Sequence, residues 1–329
     1  MTKTSKVTVT KQEIIRDLRL LGVGYGDHLA VTLSLKSIGR VEGGADGFIY
    51  ALLEAVGPEG TVMMNAHTET FPASEIDRNY IFDPATTPPT TGIVPTTLLK
   101  LKGALRSTHP VCSVVAVGKH AKLLTSTHTE KSRPYLPFST LAGLGGKFLS
   151  IGLGDRLVSI RHEGQYLAGL PRILLCGVQY KRGTETDLFL FAHPPCESNL
   201  PSLVPQLEKF GLVKHGRVGQ AEALLAQVSD ILTHESSMLR DNPALNQCDD
   251  ILCIHCREVE RRTKLWGRIV NPHFYQRSIL LREALHLRNY LIIKRRFSKV
   301  SFRGKNSTVH YYIEFFFTFA AKKLCKMLK

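Results

Sequence analysis

Several groupings of side chains in this sequence have types and spacings suited to chemistry. His109 stands three residues before Cys112 in RSTHPVCS (106–113). A thiol with an imidazole nearby is the raw material of a covalent acyl-transfer nucleophile, provided the thiol is partly exposed. Cys112 instead begins the apolar run CSVVAV, where a buried, inert thiol is expected. Cys248, Cys253 and Cys256, with His255, offer part of a zinc site. A structural site needs four ligands, and His255 is too close to Cys256 to join the same ion, so the fourth would come from elsewhere, such as His234. No metal is expected, and these thiols are read as free. The third grouping is His162, Glu163 and Gln165. On a helix Gln165 lies near His162, whereas Glu163 points away. An imidazole titrates close to neutral pH, which suits a proton carrier.

These residues need elements to place them. Apolar side chains at helical spacing predict a helix over 11–22, ended by Gly22. A strand is predicted at 28–35, then a helix over 45–56 opened by Gly43 and Gly44, then a strand at 60–65. Residues 67–95 are rich in Pro, Thr and Asp and read as a long excursion carrying Glu69 and Asp83. Further strands are predicted at 112–117, 147–153 and 172–179, and helices at 93–102, 119–126 and 159–168. The segment 181–198 is strand-like, and 202–211 and 219–239 read as helical. Strand–helix alternation predicts an α/β fold, a layered mixed sheet flanked by helices.

Four segments together resemble the aminoglycoside 3-N-acetyltransferase family. They are LKSIGRVEGG (35–44) with ALLEAVGPEGT (51–61); FDP (82–84) with Gly92; RSTHPVCS (106–113) with Ala116 and Gly118; and GGKFLSIGLG (145–154) with His162 and YLAGLP (166–171). Each alone is weak; together, in order and at the family's spacing, they are specific. The resemblance covers roughly residues 10–262. It implies an acyltransferase that uses acetyl-CoA as co-substrate and acetylates an amine of an aminoglycoside or other amino sugar.

The resemblance implies that His162 is the general base. An alkyl ammonium must lose a proton before its nitrogen attacks a thioester, and the oxyanion then needs donors. Catalytic candidates are therefore His162, Ser113 and Gln165. Ser34, Lys36, Ser37, Gly43, Gly44, Arg106, Ser107 and His109 are the candidates for binding CoA, with Lys36 a point charge for a phosphate. Glu69, Asp83 and Glu163 are the candidates for binding the amine, although Asp83 before Pro84 also suits a turn. The family carries Glu where Gln165 stands, and commonly His where Thr32 stands. The first departure weighs against a polycationic acceptor, and both keep a second reading in play: a catalytically weakened scaffold held at a membrane by its tail.

The chain has 329 residues and a net charge of +15. From 266 to 329 there are 14 Lys and Arg against two acids, a surplus of +12. Residues 1–265 are nearly neutral. Two regions are expected: a transferase domain over 1–265 and a basic, aromatic helical tail over 266–329. Basic residues beside the aromatic stretch 309–321 suit peripheral contact with an anionic membrane face. No nucleic-acid motif is present, so nucleic acid is not an expected partner. A homo-oligomer fits the sequence equally well. The polar start, the seven cysteines and the lack of an 18-residue apolar run point to a cytoplasmic protein, with the inner membrane face as the place where its tail would dock.

Overall fold

The computed structural model describes residues 8–73, 75–154, 157–170, 174–193, 203–248 and Cys256. The tail 266–329, the boundary at 265/266 and the membrane contact read for the tail lie outside the described residues, as does Cys253.

A short strand, β1 (Thr8–Val9), leads into helix α1 (Lys11–Leu21). Thr10 and Glu13 form a capping box at its start, satisfying N–H groups that the first turn leaves open. Ile14, Leu18 and Leu21 recur at helical spacing and are buried. Gly22 takes φ 111°, a left-handed conformation that stops the helix at little cost.

The main sheet has seven strands in the order β12-β13-β9-β2-β4-β8-β7. They are β2 (His28–Leu33), β4 (Thr61–Asn65), β7 (Leu105–Arg106), β8 (Val114–Gly118), β9 (Lys147–Ile151), β12 (Val213–Val218) and β13 (Ala221–Gln227). Strand β2 pairs in parallel with β4 on one side and β9 on the other, and the outer pairings are antiparallel. Side chains alternate across the sheet. Leu29, Val31, Val62, Met64, Leu149 and Ile151 enter one core cluster. That cluster is covered by α1, by α3 (Gly44–Val56) and by α4 (Ile93–Leu98). Ala30, Met63, Phe148 and Leu224 enter the other cluster. It is covered by α5 (Ala121–Ser126), α6 (Leu136–Gly143), α7 (Val158–Ala168) and α9 (Val228–Asp241). The fold is thus a three-layer α/β arrangement with a mixed sheet in the middle, as the alternation of elements predicts.

Two smaller sheets complete the described chain. β1 pairs in parallel with β3 (Arg40–Val41), which follows the short α2 (Leu35–Ile38). The hairpin of β10 (Leu174–Arg182) and β11 (Glu185–His193) carries two short strands from the proline-rich excursion, β5 (Phe71–Pro72) and β6 (Ile81–Phe82). Helix α8 (Val204–Lys209) precedes β12.

One expectation needs correction. The segment 219–239 is not a single helix: its first part is β13 and its second is α9. AEALLAQ has strong local helix propensity, but β13 lies between β12 and β9, where pairing on both edges overrides propensity. Gly219 makes the turn between β12 and β13 with φ 58°, and an added Cβ would meet the Ile38 carbonyl oxygen at 2.7 Å. Helix α6 is an addition to the elements that periodicity predicts.

Candidate active site

In a parallel α/β sheet the strand order reverses at one point, and ligands bind beyond the carboxyl ends of the strands there. Here the point is β2, with β4 and β9 on its two sides. Three connections leave these strand ends: Ser34 into α2, Ala66–Thr68 into the excursion, and Gly152 toward α7. The first and third are in close contact. The Ser34 N–H donates to the Ile151 carbonyl at 2.9 Å, and a Cβ on Gly152 would meet the Ser37 Cβ at 2.5 Å. Only glycine fits there.

Helix α7 holds His162, and its neighbours in sequence hold α7. Arg161 pairs with Glu235 of α9, Nε to Oε1 2.6 Å, and both side chains are almost fully enclosed. Burial pushes the Glu235 carboxyl up to about 7 despite the guanidinium. Glu163 is fully buried; its Oε1 accepts from the Arg133 guanidinium at 2.6 Å and from the Ser139 hydroxyl. Gly164 lets α7 approach α9, since a Cβ would lie 2.5 Å from Glu235 Oε2. His162 is 1% exposed. Its Nδ1 lies 2.9 Å from Gln165 Oε1 and its ring packs 4.9 Å from that of Tyr135. Nδ1 therefore carries the proton and donates it, so the neutral ring has its lone pair on Nε2. The Tyr135 ring in turn lies 6.0 Å from His67.

The RSTHPVCS segment builds a support for the exit of β4. Arg106 Nη2 donates to the Ala66 carbonyl at 3.0 Å, and the Ser113 hydroxyl donates to the same oxygen at 2.5 Å. Arg106 also donates through Nη1 to the Thr87 carbonyl and through Nε to Ser113 Oγ at 3.1 Å. Burial lowers its guanidinium to about 10. Ser107 Oγ meets His128 Nδ1 at 3.0 Å and accepts from the Val114 N–H at 2.9 Å. His109 is fully buried and stacks on His128, ring centroids 4.7 Å apart. Its Nδ1 accepts from the N–H groups of Val111 and Cys112 at 3.3 and 3.0 Å. Burial first, then the neighbouring His128 and His67, hold its pKa well below the usual histidine range. Cys112 is buried, as its place at the start of an apolar strand predicts.

Other sequence candidates fall around the three strand ends or beyond them. Ser37 Oγ donates to Ser34 Oγ at 2.8 Å, and Lys36 and Ser37 are exposed. Gly43 and Gly44 take φ 69° and 59° at the start of α3, which Gly tolerates and other residues resist. Glu69 is exposed. Asp83 makes the turn expected of Asp-Pro, accepting from the Ala85 N–H at 2.9 Å, and also pairs with Lys181 at 3.0 Å. These two contacts, in that order, lower its pKa. Among the described residues no group of three or more His, Cys, Asp or Glu could hold a metal, and the Cys256 thiol donates to the Cys248 sulfur at 3.6 Å. Asn65, Tyr135 and Ser159 carry no signal in the sequence and none stands in a motif; Ser159 lies one helical turn before His162 in α7, and only tertiary contact brings Tyr135 and Asn65 to that helix.

The model of the aminoglycoside 3-N-acetyltransferase family matches residues 30–240, the span that holds this whole arrangement. The chain belongs to that family. Aminoglycoside N(3)-acetyltransferase III of a Salmonella species is 34% identical over 254 residues, covering 68% of this chain and 89% of the relative. The enzyme of that name from Serratia marcescens is 31% identical, covering 68% and 94%. Among solved structures, AAC(3)-IVa as apoenzyme aligns with a TM-score of 0.68 at 26% identity, covering 79% of this chain and 99% of that one. AAC-IIIb, solved with CoASH, aligns with a TM-score of 0.65 at 25% identity, covering 71% and 97%. Membership makes this chain an acyltransferase of the N-acetyltransferase class.

Proposed function

We propose that this chain transfers the acetyl group of acetyl-CoA to an amine of an aminoglycoside or related amino sugar, by direct attack in a ternary complex with His162 as general base. The observation that carries the reading is the 2.9 Å contact of His162 Nδ1 with Gln165 Oε1. It fixes the ring and its tautomer, leaving Nε2 as the basic nitrogen. The family relationship supports the reaction class, and the CoASH complex of AAC-IIIb supports acetyl-CoA as the co-substrate.

The acceptor arrives as an ammonium. It gives one proton to Nε2, and its nitrogen bonds to the thioester carbonyl carbon. A second proton leaves that nitrogen as the amide forms and the C–S bond breaks. One of the two protons ends on the leaving sulfur as CoASH and the other reaches solvent. Ser34, Lys36 and Ser37, which follow the end of β2, and the Gly43–Gly44 turn at the start of α3 are the groups we assign to CoA. The acceptor is assigned to the side of Glu69, the most accessible of the three candidate acids. Glu163 and Asp83 contribute through the packing of α7 and of the excursion.

The test is CoA thiol release from acetyl-CoA with gentamicin, the aminoglycoside found in one AAC(3)-IVa complex. His162→Ala is expected to lose at least a hundredfold in kcat, in the range typical of general-base removal. Full-speed turnover by that variant would overturn the reading.

A further inference from the structure

The polar end of the sheet contains an acceptor that the reading above does not use. Asn65 ends β4, Thr32 stands near the end of β2, and Ser150 faces Thr32 on β9. Val31 pairs with Met64, so Thr32 and Asn65 occupy the next row of the parallel register. Val31 and Met64 point into the core on the α1/α3 side. Alternation turns Thr32, Asn65 and Ser150 to the opposite face, the one covered by α7. An uncharged polar row thus crosses three strands beneath the helix that carries His162.

Asn65 reaches that helix directly. Its Nδ2 donates to Ser159 Oγ at 2.9 Å, across 94 residues of chain. Ser159 and His162 are three apart in α7, so they share a face with about 5–6 Å between Cβ atoms. The Asn65 side-chain oxygen is buried, and among the described residues it has no hydrogen-bond partner; the same holds for Ser150 Oγ. A buried acceptor without a donor costs on the order of 1–3 kcal/mol, and such orphans mark places where a bound group supplies the partner. The residue is held firmly from outside. The Asn65 carbonyl accepts from Thr91 Oγ1 at 2.7 Å, and the next carbonyl, Ala66, accepts from Arg106 and Ser113.

We infer that the Asn65 side-chain oxygen accepts an N–H of the acceptor's reacting amine and so positions that nitrogen beside His162. An ammonium shared by two acceptors at ordinary hydrogen-bond length holds them roughly 5 Å apart, and Asn65 meets α7 at Ser159, one turn before His162. Once Nε2 has taken one proton, the nitrogen keeps an N–H on Asn65 and turns its freed lone pair to the thioester carbon. It also explains how an amine is oriented with Glu163 fully enclosed by Arg133 and Ser139. The inference rests on the assignment of His162 as base.

The experiment uses the full chain, acetyl-CoA and gentamicin, with Asn65→Ala, Asn65→Asp and His162→Ala compared with the parent. Asn65→Ala is expected to raise the KM for gentamicin at least tenfold and leave the KM for acetyl-CoA within twofold. Asn65→Asp keeps the size and offers a stronger acceptor, so the gentamicin KM should fall and become more sensitive to salt. An unchanged gentamicin KM in both variants, or a rise confined to acetyl-CoA, would overturn the inference. If Asn65→Ala does not fold, Asn65→Asp decides alone: a parental gentamicin KM counts against the contact. Titration calorimetry of gentamicin into the CoA-saturated protein reads the same contact without turnover, and failure of the parent to bind overturns it too. His162→Ala separates the two readings. A dead His162→Ala beside a silent Asn65 pair removes only the amine contact. A fully active His162→Ala removes the base.

Discussion

Gln165 is the most informative residue of the site, because the family resemblance implies a carboxylate at that position. The amide still fixes the His162 ring through Nδ1 at 2.9 Å. It brings no negative charge to steady the imidazolium formed during proton transfer. A carboxylate there would favour the charged ring. Gln165→Glu is therefore expected to move the acid limb of the kcat/KM profile to higher pH. Gln165→Ala should cut kcat at least tenfold by freeing the ring, the kind of loss seen when a base is no longer oriented. A pH profile of CoA release distinguishes the two. An unmoved limb in Gln165→Glu would mean that position 165 does not touch the reacting imidazole. This contact was legible in advance, since residues three apart on a helix meet without help from the rest of the fold.

Helix α7 is held by two ion pairs, the buried Arg161–Glu235 pair and the partly buried Glu163–Arg133 pair. Arg161 fastens it to α9, and Glu163 fastens it to Arg133 and Ser139 near the start of α6. Removing one partner of a buried pair costs about 3–5 kcal/mol, because the other charge is left uncompensated. Gly164 sits between these clamps, against a carboxylate already fixed by Arg161. Gly164→Ala should therefore destabilise the protein by about 1–3 kcal/mol, as overpacking does. It should also lower kcat, because α7 must move and carries His162 with it. Urea unfolding together with CoA release checks both. A variant equal to the parent in each would show that α7 has slack against α9. The helix itself was legible from periodicity, as was α1. The clamps were not: Arg161 and Glu235 lie 74 residues apart in the chain.

Acid sensitivity belongs to the molecule as a whole. His128 and His109 are buried and neutral, stacked on one another. Burial is the chief cause that lowers His128 to about 4. An unfolded histidine takes up its proton near pH 6.5. Stability from His128 is therefore complete above about pH 6.5 and is lost as the pH falls toward 4. Glu235, raised to about 7, works in the other sense: its contribution is complete below the ordinary carboxylate range and is lost as the pH rises through 7. His128→Asn should flatten the loss between pH 6.5 and 4, at the expense of some stability at neutral pH. Denaturant midpoints across that range measure the slope. An unchanged slope would place the acid-sensitive groups elsewhere.

The α/β layering, the helices α1, α3 and α7, the strands β2, β4 and β9, and the pairing of His162 with Gln165 follow from the sequence by itself. Each rests on periodicity, a stop signal or a neighbour within one helical turn. Tertiary structure alone decided that AEALLAQ is a strand, because cross-strand pairing outweighed its local helix preference. It alone turned Arg106 and Ser113 to the Ala66 carbonyl, enclosed Glu163, and set Asn65 against Ser159. Those contacts join residues far apart in the chain, and local pattern carries no record of which distant partner a polar side chain meets.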